Sequence, residues 1–381
     1  MTTESPTEAG HHRTNDLAPY LHFMVKSGGS DLFMTVGAVP TVKVQGEVVR
    51  LGKQPLVPGQ VKAFAYSMMS EAQMREFERN LECDLAVGID RLGRFRFNVY
   101  MQRGEVSLVA RYVKPDIPSL TDLKMPAILQ KVVMQKRGLV LSVGAAGSGK
   151  SSTLAAMIDH RNRTAPGHIL TIEDPIEFLH PHHLCVVDQR EVGLDTHSFE
   201  QALRHGLREA PDVIMIGEIR DEETMNHAMK YAETGHLCLA TLHSNNANQA
   251  VDRMINFFPE GARKQALLDL SLNLKGVIAQ RLIRGTKRRL VPATEVMLQS
   301  AFISDLIQKG EIDQIKSAIG KSTDLGMHTF DQSLYDLYQE AEITLDDALE
   351  NADSRTDLSL RIRMHAGADD ADLSGFDLRR G

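Results

Sequence analysis

The stretch GLVLSVGAAGSGKSS (138–152) joins six mostly apolar residues to a glycine loop that closes on lysine and serine. From Gly144 to Ser151 it satisfies the spacing G-x-x-x-x-G-K-[ST], and the chemistry needs each residue type in its place. Gly144, Gly147 and Gly149 allow positive φ and close backbone approach. The N–H groups of Ala145, Ala146 and Ser148 can then turn inward with theirs as a nest for an anion. The helix expected from Lys150 adds its positive end. Lys150 would place a charge on the β- and γ-phosphates, and Ser151, followed by Ser152, would offer its hydroxyl to Mg²⁺. A strand before the loop and a helix after it is the context that confirms such a site. No guanine-reading N/TKxD element follows, so ATP is the expected nucleotide.

Downstream, strands alternate with helices: HILTIED (168–174), DVIMIGE (212–218) and HLCLATLH (236–243) each read as a strand followed by a loop or helix. This alternation predicts an α/β core with a parallel sheet and helices on both faces. In such sheets ligands meet the carboxyl ends of the strands. Three of those ends carry polar residues: Glu173-Asp174, Gly217-Glu218 and His243, with His236 just ahead of its strand. Each has a bland alternative, since Glu173-Asp174 could open a turn, Glu218 could be a surface acid and either histidine could be satisfied structurally. Gly217 stands where a Walker B strand usually has its metal-holding aspartate. The metal shell would therefore rely on waters held by Glu173, Asp174 or Glu218, with Glu218 orienting the attacking water.

Ahead of this core, residues 17–113 read as a small α+β unit in which strands such as DLFMTVGAVPTVKVQGEVVRL (31–51) follow a short helix. The proline-bearing stretch 114–125 reads as a linker, 126–355 as the ATP-binding core with C-terminal helices, and 356–381 as a flexible tail. Residues 1–16 are polar and expected to be disordered. The basic run RLIRGTKRR (281–289) reads as a solvated hairpin or loop. A net charge of −7 disfavours a broad nucleic-acid or anionic-membrane surface. Cys83, Cys185 and Cys238 lie too far apart in sequence for a zinc module or a disulfide framework. With no apolar run near the ~20 residues of a membrane span, a cytosolic protein is expected.

Taken together, GAAGSGKSS, LTIEDPIEFLH (170–180), REAPDVIMIGEIRD (208–221) and TGHLCLATLHSN (234–245) resemble the boxes of the type II/type IV pilus secretion ATPases. The N-terminal SDLFMTVGAVPTVKVQGEVVRL and GRFRFNV are similar to the pilus retraction branch, the PilT/PilU family. The resemblance implies a RecA-like P-loop core preceded by a PAS-like domain. It also implies a homo-hexameric ring in which Arg94, Arg96 and Arg111 reach the γ-phosphate, although alternate residues on one strand could equally form a solvated face. Glu173, Asp174, Glu218 and His243 would serve catalysis and His236 the nucleotide. FISDLIQK (302–309) has Ser304 and Gln308 where the main retraction motor carries arginines, which makes the accessory branch the better match. Implied partners are a PilT-like main motor and a PilC-like inner-membrane platform protein, with membrane association only through them and no nucleic acid. An adaptor ring of weak activity and a nucleic-acid translocase are the competing readings.

Overall fold

A computed structural model describes residues 17–365 other than 45 and 114, so the expectations for 1–16 and for 366–381 lie outside the described residues. The described chain divides into two compact units. The first contains α1 (Ala18–Lys26), β1 (Gly29–Thr35), β2 (Thr41–Val44), β3 (Glu47–Arg50), α2 (Gln60–Met68), α3 (Glu71–Asn80), β4 (Glu82–Ile89), β5 (Gly93–Gln102) and β6 (Glu105–Val113). It also takes in residues 174–181 and 190–198. Its six strands form one sheet in the order β3-β2-β1-β6-β5-β4. The alternation in GRFRFNV decides which way β5 faces. Phe95, Phe97 and Val99 are buried with Leu21, Met24, Phe64 and Phe77 of the helices, whereas Arg94, Arg96 and Asn98 take the other face. Each aromatic residue there removes roughly 150–250 Å² from water.

The second unit holds α4 (Ile128–Val133), β7 (Gly138–Val143), α5 (Lys150–Thr164), β8 (Gly167–Glu173), β9 (Cys185–Glu191, whose last two residues belong to the first unit), α6 (Phe199–Gly206) and β10 (Val213–Ile216). There follow α7 (Glu222–Glu233), β11 (Leu237–Leu242), α8 (Ala247–Asn256), α9 (Arg263–Asn273), β12 (Leu274–Arg284) and β13 (Leu290–Leu298). The described residues end in α10 (Ala301–Lys309), α11 (Ile315–Lys321), α12 (Phe330–Gln339), α13 (Leu345–Asn351) and α14 (Arg355–His365). The sheet order is β13-β12-β7-β11-β10-β8-β9. β12, β7, β11, β10 and β8 run parallel, and β13 returns antiparallel to β12. Every residue of β7, β10 and β11 is buried, as befits central parallel strands covered on both faces. The fold is thus the expected α/β one, its sheet mostly parallel rather than wholly so. The basic run 281–289 lies in the β12–β13 hairpin.

Two stretches depart from the sequence reading. Residues 118–125, read as linker, belong to the second unit, because Leu120 and Met125 are buried in its core. The hairpin secures them from outside. Arg288 Nη1 donates to the Asp122 carbonyl at 2.8 Å, and the buried Glu342 carboxylate accepts from Lys124 at 2.8 Å and Lys287 at 3.1 Å. Residues 355–365, read as the start of a mobile tail, form α14, in which Leu358 and Ile362 share one face and are 1% and 3% exposed. Its four apolar residues, Leu358, Leu360, Ile362 and Met364, alternate with polar ones and so do not mark a helical period, yet Leu358 and Ile362 suffice to dock the helix.

The hydrogen bonds from Lys124 and then Lys287 hold the Glu342 carboxyl below the usual glutamate range. A depressed carboxylate stabilises the fold fully above its unfolded pKa, and that contribution is lost as pH falls through the folded one. The melting temperature of Glu342→Gln should therefore lie below that of wild type at neutral pH. The gap should close as pH drops below about 4. A gap that stays constant down to that pH would show that the carboxylate charge does not matter.

Candidate phosphate site

The phosphate loop follows β7, as the spacing requires. Val143 ends the strand, Gly144 turns at φ 151°, and Gly149 at φ 92° caps α5. Side chains are excluded at both corners. A β-carbon on Gly144 would stand 2.4 Å from Ser148 Oγ, and one on Gly149 2.6 Å from Gln280 Nε2. Ala145, Ala146 and Gly147 form the exposed lip, and Ser151 and Ser152 open the helix with Ser151 exposed.

Lys150 turns back onto the loop, donating to the carbonyls of Gly144 at 3.0 Å and Ala145 at 2.9 Å. Burial pulls its ammonium below the usual lysine range, and the Glu218 charge opposes that pull. Ser148 Oγ is buried and has no hydrogen-bond partner among the described residues. A desolvated cation and an orphaned hydroxyl on an inward-turned loop are what a polyphosphate would satisfy. The residues therefore fit the nucleotide. Beside the loop opens a cavity of about 420 Å³ lined in part by Gly144, Ala145, His243, Asn245, Gln249 and Arg253.

The polar strand ends divide. Strand register sets Leu242 of β11 opposite Val143, and Ile216 of β10 opposite Ala240. Two residues past Ile216, Glu218 therefore reaches the level of the loop. Glu218 Oε1 lies 3.0 Å from His243 Nε2, and Arg220 Nε donates to Oε2 at 2.8 Å. The carboxylate is held from both sides. Glu173 ends β8 buried, its Oε1 accepting from Thr171 Oγ1 at 2.7 Å and Gln189 Nε2 at 3.1 Å. Asp174 begins the short segment assigned to the first unit.

His236 does not join them. It precedes β11 at the strand's amino end, whereas His243 follows its carboxyl end. At ~3.3 Å per residue the two are roughly 20 Å apart along the strand. His236 Nδ1 instead meets Thr234 Oγ1 at 3.1 Å and the Tyr231 carbonyl at 3.2 Å, its ring edge-on to Tyr231. The residue expected at the nucleotide thus lies away from the phosphate loop, because β11 carries its two flanking histidines to opposite ends of the sheet.

The three arginines lie on one face of the first unit. Arg96 pairs across the sheet with Arg111, and Arg111 with Asp31. Arg111 Nε donates to Asp31 Oδ1 at 2.7 Å, and Arg96 Nε lies 3.7 Å from Glu191 Oε1. Burial pushes the Glu191 carboxyl up, and the charges of Arg96 and Arg94 oppose this. Arg220 and Gln280 were missed by the sequence reading. Arg220 lay inside the quoted GEIRD, two residues from Glu218. Gln280 comes from a strand far along the chain, and no local spacing points to it.

Residues 107–351 match the family described as Type II/IV secretion system protein. The Type IV pilus ATPase PilU of Pseudomonas aeruginosa is 52% identical over 359 residues, 93% of this chain and 94% of its own. The Type IV pilus retractation ATPase PilT of the same organism is 41% identical over 88% of this chain and 98% of its own. A crystal structure of the pilus retraction motor PilT with bound ADP superposes with a TM-score of 0.84 at 40% identity, covering 90% of this chain and 98% of that one.

Proposed function

Because this chain belongs to the Type II/IV secretion system protein family, in its PilT/PilU branch, we propose that it is a Mg²⁺-dependent ATPase that assists type IV pilus retraction and twitching motility. The Glu218–His243 pair at 3.0 Å, level with the Lys150 loop, is the observation that carries the enzymatic part. Bound Mg²⁺ would neutralise charge on the β- and γ-phosphates, and Ser151 would hold it directly with Glu173 and Glu218 through water. Lys150 would leave the Gly144 and Ala145 carbonyls for the phosphate oxygens. Glu218 would orient the attacking water, with His243 and Arg220 fixing its carboxylate. Arg94, Arg96 and Arg111 would add charge-assisted bonds to the γ-phosphate that are lost on cleavage. Such bonds would couple closure of the two units to nucleotide state, with residues 114–117 as the hinge.

The accessory role rests on the similarity to a PilU over 93% of this chain and on α10. There Ile303, Leu306 and Ile307 are buried, while Ser304 Oγ accepts from Gln299 Nε2 at 3.3 Å. This helix lacks the two arginines of the main motor. We assign the working form to a homo-hexamer at the cytoplasmic face of the inner membrane, partnered by a PilT-like motor and a PilC-like platform protein. Among the described residues no helix is long and apolar enough to cross a membrane.

Two measurements test this reading. Phosphate release by the purified protein should require Mg²⁺ and stop with a chelator. A deletion strain should lose surface motility under conditions that load the pilus, and the wild-type gene should restore it only while the main motor is present. Stimulation by DNA, or full motility in the deletion strain, would contradict the proposal.

A further inference from the structure

β12 runs on past the level at which its parallel neighbour β7 ends. Ala279 stands opposite Val143, and the next residue, Gln280, comes alongside the phosphate loop. Gln280 is only 4% exposed. Its Oε1 accepts from Thr153 Oγ1 at 2.7 Å, in the first turn of α5 and three residues beyond Lys150. Its Nε2 lies against Gly149, where a β-carbon would come within 2.6 Å. Its backbone carbonyl lies 2.5 Å from where a β-carbon on Gly144 would be. One residue of a distant strand thus touches both glycine corners of the loop and the helix that follows. An amide is a poor choice for filling space, because a buried polar group costs stability unless its hydrogen bonds are made.

We propose that Gln280 is a positioning residue for the nucleotide. It bonds Thr153 and crowds Gly149, and so holds the loop and the first turn of α5 in the phosphate-accepting shape before a nucleotide arrives. The proposal rests on the ATPase reading given above. Pre-organising a loop raises affinity by removing an ordering cost from the binding step. It leaves the water-orienting carboxylate untouched. Loss of the Thr153–Gln280 bond should therefore weaken nucleotide binding and spare the chemical step.

The test uses the full-length protein, a fluorescent ATP analogue for affinity and phosphate release for turnover. Gln280→Ala and Thr153→Val should each raise Kd about tenfold, as expected for one buried neutral hydrogen bond. At saturating ATP, kcat should stay within about threefold of wild type, a split that general destabilisation would not give. The double variant should be no weaker than the poorer single one, because both remove the same bond. Thr153→Ser should restore affinity. Melting curves without nucleotide check folding. If Gln280→Ala does not fold, the Thr153→Val and Thr153→Ser pair decides, with equal affinities counting against the proposal. Single variants within twofold of wild type in Kd, multiplying losses in the double variant, or a fall in kcat at unchanged Kd would each overturn it. Any of these, with nucleotide binding by wild type intact, leaves the ATPase reading standing. Failure of wild type to bind nucleotide overturns both.

Discussion

Lys150→Ala is expected to remove ATP turnover, lowering kcat/KM roughly 10²–10⁴-fold. The size follows from the loss of one partner of a buried charge pair, which costs ~3–5 kcal/mol, at about 1.4 kcal/mol per factor of ten. The ammonium is buried already, and it donates to two loop carbonyls. The Ala145 carbonyl on the exposed lip can be met by water once the lysine moves, and the buried Gly144 carbonyl alone bears the cost of a lost bond, about 1–3 kcal/mol. Removing the side chain should therefore leave the unit folded and the loop without its charge. Nucleotide binding and phosphate release should fall together, since this charge acts on the ground state as well as on the transition state. A variant that melts like wild type and still hydrolyses ATP within tenfold of it would refute the phosphate-site assignment. In cells, the same variant should fail to restore motility to a strain lacking the protein.

The phosphate loop was legible because its chemistry is local. Glycines, lysine and serine must stand at fixed separations on one turn of backbone, so sequence spacing and spatial geometry are nearly the same information. Glu218 and His243 were legible for a related reason. Each ends an apolar run, and parallel strands bring their carboxyl ends to one edge. That argument needs the direction of the strand as well as its limits, and His236 shows the difference. It adjoins the same apolar run as His243 but at the amino end, so adjacency in sequence became opposition in space.

Gln280, Lys124 and Glu342 were beyond reach for another reason. Their partners lie far along the chain: 127 residues for Thr153–Gln280, 218 for Lys124–Glu342 and 55 for Lys287–Glu342. Nothing in composition marks such pairs. The basic run 281–289 read as a solvated hairpin, and a hairpin it is, but two of its charges are bonded within the second unit, Arg288 to the Asp122 carbonyl and Lys287 to Glu342. Charge pattern gave the element without its purpose. The helix α14 escaped notice because the burial of two side chains depends on the surface they meet.

Glu218→Gln should separate binding from chemistry. The substitution keeps the shape of the side chain and one carbonyl oxygen, so one of the two contacts, to His243 or to Arg220, can persist. It can keep both only with the oxygen on Arg220 Nε and the new amide nitrogen donating to an unprotonated His243 Nε2; with the oxygen turned to His243, the nitrogen faces Arg220 Nε, another donor. More important, it removes the negative charge that can accept a proton from the attacking water. General-base contributions of this kind are worth about 10²–10⁴-fold, and kcat should fall by that factor. ATP affinity should be unchanged or higher, because an anion near the triphosphate repels it and the amide does not. Glu218→Asp retains the charge but withdraws it by one methylene, so it should recover part of the lost turnover. If Glu218 instead served only to brace the loop after β10, the glutamine variant would lower melting temperature and affinity together and leave kcat near wild type. The ratio of kcat to Kd across the two variants therefore distinguishes a carboxylate that acts on water from one that merely holds His243 and Arg220 in place.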